Sequence, residues 1–461
     1  MVNVGFINPP SEFLINQRVF VTLGILRVIT YLSKLEEYKV SFLDLSDQED
    51  YYTLISDFIK ENDLNVVCFT ATTPQISVVY QFCKFINSNF GIKIILGGPH
   101  ITLMYSSFER GTKAIKAICY NHISKLLRCV NTLVIGDGEY AIVSAIVNGE
   151  RVVNSEQNLH LFLKRNYDEV AIPDRRFLDL DSYEYCIDGA KATNIISQIG
   201  CPFQCAFCSG RGSKTFNTIR KRSIKNIMKE INILYSQYGY MGFMFYDDEL
   251  NINKEYFEEL LKVLIQYQEE HGVSFNLRGF TRSDLLTGQQ AELMYQAGFK
   301  WLLVGFESGS DRMLLNMNKG CTVSDNNRCF DIAINNGLKV KALMSIGHPG
   351  ESRDTIQETV DWLQATLPDE LDVTIVSVYP GSEYFNRSIV LDNNLLSYTD
   401  IKTGDSLYIR NIDFLSESNF YKSKAGECMS YVFTDYLSCK ELVEQQSLIM
   451  ENERRQSKVL G

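Results

Sequence analysis

The sequence predicts an α/β protein made of two successive parallel-sheet units. Three observations predict it. Apolar runs alternate with amphipathic stretches, the alternation stops and restarts around an irregular charged stretch at residues 151–190, and several runs end in glycine, threonine or acidic residues. Strand, helix, strand in this rhythm gives parallel strands covered by helices. At 461 residues the chain is also longer than one core readily supports.

In the first unit, residues 1–150, the strand candidates are "NVGFIN" (3–8), "KVSFLD" (39–44), "NVVCFT" (65–70), "IKIILGG" (92–98) and "TLVIGDGE" (132–139). Between them, "GILRVITYLSKLEEY" (24–38) and "SVVYQFCKFINSNF" (77–90) repeat apolar residues at helical spacing. Open parallel sheets bind ligands outside the carboxyl ends of their strands. Those ends carry "TATTPQ" (70–75), "GGPH" (97–100) and "GDGE" (136–139) here. Residues 151–190 read as a linker.

The second unit, residues 191–390, opens with "NIISQIG" (194–200), followed by "GFMFYDD" (242–248), "VSFNLRG" (273–279), "KWLLVGFE" (300–307), "VKALMSIG" (340–347) and "LDVTIVSV" (371–378). Helical stretches at 222–238, 253–269, 323–336 and 353–366 separate most of them. Six β/α units predict a full or partial parallel barrel with its site at the C-terminal strand ends. Residues 391–461 carry no clear motif and are expected to be helical or irregular.

Hydrophobic residues are 45% and charged residues 22% of the chain, as in folded globular proteins. A net charge of -11 argues against a nonspecific nucleic-acid or anionic-membrane surface. No apolar run approaches the roughly 20 residues of a membrane span. "MVNVGFINPP" lacks the order of a signal peptide and reads as a first strand. The 12 cysteines are scattered in a large chain, so reduced thiols and a cytoplasmic setting are expected, with Cys68 a core residue.

One cysteine group stands apart. "GCPFQCAFCSG" (200–210) places Cys201, Cys205 and Cys208 in the loop leaving the first barrel strand. Cys205-x-x-Cys208 alone has the spacing of a thioredoxin-like redox pair, against which the third cysteine and the fold speak. A structural zinc site needs a fourth cysteine or histidine, and none follows at finger-like spacing. An iron–sulfur cube held by three thiolates leaves one iron open to a substrate or cofactor, and the spacing favours this reading over zinc.

Cys201-x-x-x-Cys205-x-x-Cys208 resembles the signature of the radical SAM superfamily. The resemblance implies a [4Fe-4S] cluster whose open iron is chelated by S-adenosylmethionine, with Phe207 beside the adenine. In "FMFYDDEL" (243–250), Tyr246, Asp247 and Asp248 match the family's second-strand motif, which contacts the methionyl amino group. "RGFTRSDLL" offers Arg278 and Arg282 at the third strand, and "VGFESGSDRMLLNMNKG" (304–320) sets Glu307 at the fourth. "SIGHPGES" (345–352) and "VYPGSEYF" (378–385) are similar to its later loops, with His348 open between packing and proton transfer.

The strand-end motifs of the first unit resemble the cobalamin-binding domain found ahead of such barrels, a Rossmann-like, flavodoxin-like fold. The resemblance implies that Thr72, Thr73, Gln75, Gly97, Gly98, Gly136, Gly138 and Glu139 contact the corrinoid. Glycine admits close backbone approach, and backbone amides of "GDGE" are available to a ligand. The Asp-x-His-x-x-Gly ligand motif is absent, so His100 is expected to line or support rather than to ligate cobalt. Residues 101–131 are longer than expected, as one extended helix forming a lid or as a distortion of the pocket.

The function implied is a cobalamin-dependent radical SAM enzyme that methylates an unactivated carbon of a small molecule or natural-product intermediate. An electron donor such as flavodoxin or ferredoxin is its expected partner. Ring formation, rearrangement or oxidation without methyl transfer is the alternative; a binding or scaffold protein that keeps the fold is another. A methylthiotransferase is disfavoured because Cys68, Cys83, Cys119 and Cys129 are too dispersed for a second trio. Tyr379, Cys321, Phe420, Tyr421, Tyr431 and Phe433 are candidates for lining a substrate cavity.

Overall fold

The apolar runs of the first unit become β1 (Val2–Asn8), β2 (Tyr38–Asp44), β3 (Val66–Thr70), β4 (Lys93–Gly97) and β5 (Thr132–Ile135). A further strand, β6 (Val152–Asn154), lies beyond residue 150. The computed structural model describes residues 1–158, 160–162, 167–170, 172–392, 394–420 and 429–460. All pairings in this sheet are parallel, in the order β2-β1-β3-β4-β5-β6. That is the flavodoxin-like order with one strand added, and its switch point lies between β1 and β3.

Helices α1 (Leu23–Leu32), α2 (Tyr51–Glu61), α3 (Ile76–Asn89), α4 (Pro99–Arg110), α5 (Lys113–Leu126) and α6 (Ala141–Val147) cover this sheet. Helix α2, unread in the sequence, buries only Ile55, Phe58 and Ile59, a stripe too thin to stand out. The stretch 101–131 forms two helices rather than one extended lid. Gly111 breaks it, because a Cβ there would stand 2.7 Å from Ser107 O. The Thr112 hydroxyl then starts α5 by accepting from Ile115 N.

The second unit holds β7 (Cys186–Ile187), β8 (Ala190–Ile195), β9 (Gln198–Ile199), β10 (Arg220–Lys221), β11 (Gly242–Phe245), β12 (Asn276–Thr281), β13 (Phe299–Glu307), β14 (Lys339–Ile346) and β15 (Glu370–Ile375). Its sheet runs β15-β14-β13-β12-β11-β8-β7, six strands parallel and β7 antiparallel at the edge, so the barrel is partial. Strands β9 and β10 form a separate antiparallel pair. Helices α7 (Lys214–Asn217), α8 (Ile224–Tyr238), α9 (Lys254–His271), α10 (Gly288–Gln296), α11 (Asp311–Asn316), α12 (Val323–Asn335) and α13 (Arg353–Thr366) connect the strands. Phe243, Phe245, Leu277, Leu302, Val304, Val340 and Ala342 are buried on the helix-covered face. Residues of the other parity, among them Arg278, Phe280, Trp301, Lys341 and Leu343, face the concave side and are only partly buried.

After α14 (Glu383–Asn386) the chain forms an antiparallel sheet of β16 (Ile389–Asp392), β17 (Leu395–Thr399), β18 (Ser406–Arg410) and β19 (Val432–Thr434), then α15 (Cys439–Leu460). The helix falls in the region expected to be helical or irregular, and the sheet was not expected there. All four residues of β16 are exposed, so the strand carries no alternation to read. Tyr421 and Cys428 lie outside the described residues. Among the described residues no helix is long and apolar enough to cross a membrane.

Candidate functional site

From the end of β8 the chain enters the loop of Cys201, Cys205 and Cys208. Gly200 turns it at φ +93°, where a Cβ would lie 2.1 Å from Thr218 O, so only glycine fits. Backbone bonds then pin the loop to three neighbours: Cys201 N donates to Phe216 O (2.8 Å), Ala206 N to Met317 O (2.8 Å) and Glu383 N to Ala206 O (3.0 Å). Cys205 is buried, Cys201 half-buried and Cys208 exposed. Cys208 lies close enough to Cys201 and Cys205 for their charges to be felt. Burial pushes the Cys201 thiol up to about 12, so a bound metal must displace its proton.

Three thiols on one pinned loop suit the three protein-held irons of a [4Fe-4S] cluster. The cations around them fit as well. Arg282 Nη1 lies 3.8 Å from Cys205 Sγ, and its guanidinium stands 3.8 Å over the Phe203 ring. A buried cation beside a thiol favours the thiolate. Among the described residues no three His, Cys, Asp or Glu side chains gather around a single-ion point.

The acidic run after β11 divides its labour. Asp247 is buried and accepts from Ser197 N (3.1 Å), Ser197 Oγ (2.5 Å) and Gln198 N (2.6 Å). It therefore staples the root of the cysteine loop and does not face the open mouth. Asp248 is exposed at that mouth, with one oxygen on Gly200 N at 2.7 Å. Tyr246 is exposed too, its ring 5.0 Å from Phe20 and 6.1 Å from Phe280. Sequence reasoning passed over Glu249. Its Oε2 is buried without a hydrogen-bond partner, and burial pushes its carboxyl up to about 7 despite nearby Lys319 and Arg282. The third consecutive acid of "DDE" was the available signal.

Arg282 is ion-paired with Asp284 at 2.7 Å, so it supports the cysteine loop rather than standing free for SAM. Arg278 pairs with Glu370 at 3.1 Å, deeper on the concave face. Glu307 holds a non-glycine φ of +66° at a register shift in β13 and pairs with buried Lys319 at 2.8 Å. Strain of this kind persists where the surroundings over-determine it. Burial opposes the Lys319 charge, but Glu307, Cys205 and Glu249 outweigh it and raise its pKa. His348 is fully buried between Tyr384 OH (3.1 Å) and Ser345 Oγ (2.9 Å), with the Phe207 ring 5.4 Å away. Burial lowers its pKa to about 3, so it packs as a neutral ring that fixes Phe207. Of the other cavity candidates, Phe420 is buried against Tyr379 and Phe414, and Cys321 is buried.

A second concavity opens at the strand ends of the first unit. A cavity of about 200 Å³ is walled by Gly97, Gly98, Gly136, Gly138, Glu139 and Thr70, with Thr215 and Phe216 of the second unit on its rim. Its depth is apolar, with Phe6, Ile25, Phe69, Ile95, Val134 and Ile142. Gly98 (φ +97°) leaves the strand where a Cβ would meet Thr70 Oγ1 at 2.4 Å. Glu139 pairs with Arg27 at 2.7 Å, and Asp137 with Arg220 at 2.5 Å, which locks the rim to the second unit. Thr72, Thr73 and Gln75 do not line this cavity. Thr72 and Gln75 form a capping box, Gln75 Nε2 donates to Ser11 Oγ (2.8 Å), and Thr73 Oγ1 meets His100 Nδ1 (3.2 Å). His100 is buried with Nε2 on His122 Nε2 at 2.9 Å, a supporting position.

Residues 195–363 match the model of the radical SAM superfamily. An uncharacterised methyltransferase of Pyrococcus horikoshii is 27% identical over 416 residues, covering 86% of this chain and 84% of that protein. The anaerobic magnesium-protoporphyrin IX monomethyl ester cyclase of Rubrivivax gelatinosus is 26% identical over 333 residues, 70% of this chain and 58% of that protein. Among solved structures, a radical S-adenosylmethionine methyltransferase, TsrM from Kitasatospora setae with cobalamin and [4Fe-4S] cluster bound, shares the fold. Its TM-score is 0.70 at 15% identity, over 97% of this chain and 91% of that one.

Proposed function

We propose that the chain is a radical SAM enzyme, a cobalamin-dependent methyltransferase acting on an unactivated carbon of a small molecule. One observation carries the reading: the three-thiol mouth of the barrel and the glycine-walled cavity of the first unit occur in one chain, joined at Phe216. Cys201 N is bonded to Phe216 O, and Phe216 also lines the cavity.

When bound, the [4Fe-4S] cluster and S-adenosylmethionine supply a 5′-deoxyadenosyl radical, and cobalamin supplies a methyl group. Cys201, Cys205 and Cys208 hold the cluster, and Arg282 offsets its thiolate charge. Asp248 and Glu249 offer carboxylates to the cationic groups of SAM, and Phe207, fixed by His348, offers a ring to the adenine. Lys319, braced by Glu307, places a buried cation at the same mouth. The glycines of "GGPH" and "GDGE" leave room for the corrinoid's tail between sheet and α1. Phe20 of the first unit packs on Tyr246 at the barrel edge. A flavodoxin or ferredoxin as electron donor and a cytoplasmic setting complete the proposal.

Anaerobically reconstituted protein given SAM, hydroxocobalamin and reductant is expected to release 5′-deoxyadenosine. A fully loaded cluster with no such release overturns the reading. Ring formation without methyl transfer is the second reading, favoured by the cyclase among the relatives. Methyl-labelled SAM decides: label in the product supports the methyltransferase, and an unlabelled product supports the cyclase.

A further inference from the structure

The concave face of the barrel is layered. Its upper layer holds the ion pairs Arg282–Asp284 and Lys319–Glu307 near the cysteine loop. Its lower layer holds Glu370 between Arg278 (3.1 Å) and Lys341 (3.2 Å), with Tyr185 beside Arg278. Strand register sets Met244 beside Arg278, Phe280 beside Leu303, and Leu343 one step above Lys341. Met244 and Leu303 thus form an apolar patch level with the lower ionic layer, with Phe20, Phe280 and Leu343 packed against it.

In the upper layer each cation faces its own carboxylate, and in the lower layer Arg278 and Lys341 share Glu370. The patch beside them offers ring faces. Phe20 reaches it from the first unit, in the loop between β1 and α1. Val21 N donates to Asn194 Oδ1, and Asn194 Nδ2 donates to Val21 O, both at 2.9 Å, which fixes that loop to β8. Phe20 then stands 5.0 Å from Tyr246 at 45°, and Tyr246 stands 6.1 Å from Phe280 at 72°. The Tyr246 side of this trio is 46% exposed although it sits at a strand end inside the concave face. Open ring edges and faces held at fixed angles recognise another ring better than a flexible chain.

We propose that Phe20, Tyr246 and Phe280 form the specificity wall of the substrate site, and that it takes a planar ring group. The wall spans both units, because Phe20 belongs to the one that carries the cavity and its two neighbours to the barrel. This inference rests on the radical SAM reading given above.

Ligand-observed NMR titration of the full chain with indole, cyclohexanol and benzoate tests it. Indole and benzoate, both planar rings, are each expected to bind more tightly than cyclohexanol. Phe20→Leu and Phe280→Leu keep apolar volume but remove the ring, so each is expected to weaken indole by about tenfold and leave cyclohexanol unchanged. Circular dichroism of the variants controls for folding. Equal weakening of indole and cyclohexanol, unchanged indole affinity in both variants, or cyclohexanol binding as tightly as indole overturns the proposal. Release of 5′-deoxyadenosine is scored in parallel. Its absence with indole binding intact sinks the cofactor reading, whereas normal release with indifferent indole binding sinks this one.

Discussion

The two units solve the same problem, a ligand site at the carboxyl ends of parallel strands, with opposite materials. The first removes side chains: Gly97, Gly98, Gly136 and Gly138 wall a cavity of about 200 Å³ with an apolar floor. The second adds them, setting Asp247, Asp248, Glu249, Arg282, Glu307 and Lys319 around the cysteine loop. Most of these charges hold one another, as in Glu307–Lys319 and Arg282–Asp284, so few remain for a ligand. Shape is therefore the selective term in the first site and residual charge in the second. Substitutions ought to behave differently in the two places.

The largest effect is expected in the second unit. Cys205→Ala removes the buried thiol beside Arg282, and neither the broad cluster absorbance nor 5′-deoxyadenosine is expected after reconstitution. In the first unit, Gly97→Val puts a Cβ 3.4 Å from Val134 Cβ, which the fold accommodates, while the branch methyls enter the cavity. Overpacking of this kind costs about 1–3 kcal/mol, roughly a five- to hundredfold loss of corrinoid affinity. Gel filtration with hydroxocobalamin checks it, and the cluster absorbance is expected to remain. Loss of both cofactors together would break the comparison, because it would make one site of the two.

Glu249→Gln asks how much residual charge the second site contributes. Burial raises the Glu249 carboxyl from the ordinary range to about 7. A raised acid favours the folded empty protein below its unfolded pKa, and that contribution is lost as pH rises through about 7. In that window the empty protein loses stability while the site gains a negative charge. SAM carries the opposite charge, so its affinity is expected to rise across pH 6–8 and to flatten in the Gln variant. Hydrogen bonds to charged groups contribute about 1.5–3 kcal/mol, a loss of roughly tenfold or more at pH 8. Equilibrium dialysis across the pH range measures both.

How far the sequence reached follows from the same contrast. The alternation of apolar runs gave both parallel sheets, and glycine and cysteine motifs gave both mouths, because each is a constraint on a few neighbouring residues. Pairings across elements were out of reach. Nothing near Asp247 announces that Ser197, fifty residues earlier, uses up its carboxylate. Nothing near "RGFTRSD", whose own Asp284 pairs with Arg282, shows that Arg282 also reaches Cys205. Glu249 was missed for the converse reason: its importance comes from lacking a partner. The C-terminal sheet escaped because its first strand is exposed on every residue.

The smallest effect is expected at Gln75, where the resemblance implies a corrinoid contact and the geometry commits the side chain elsewhere. Its Oε1 accepts from Thr72 N (3.0 Å) and Thr72 Oγ1 (2.8 Å). Its Nε2 donates to Pro9 O (3.2 Å) and Ser11 Oγ (2.8 Å). Those bonds tie the loop after β3 to the loop after β1, which continues to Phe20. Gln75→Ala leaves buried partners unsatisfied and is expected to cost about 1–3 kcal/mol of stability, read as a lower denaturant midpoint. Corrinoid affinity is expected to stay within about a factor of two, since Gln75 shares no partner with the cavity wall. A loss of affinity at unchanged stability would move Gln75 into the first site. That site would then use polar side chains as the second one does, and the contrast between the units would narrow to their glycines.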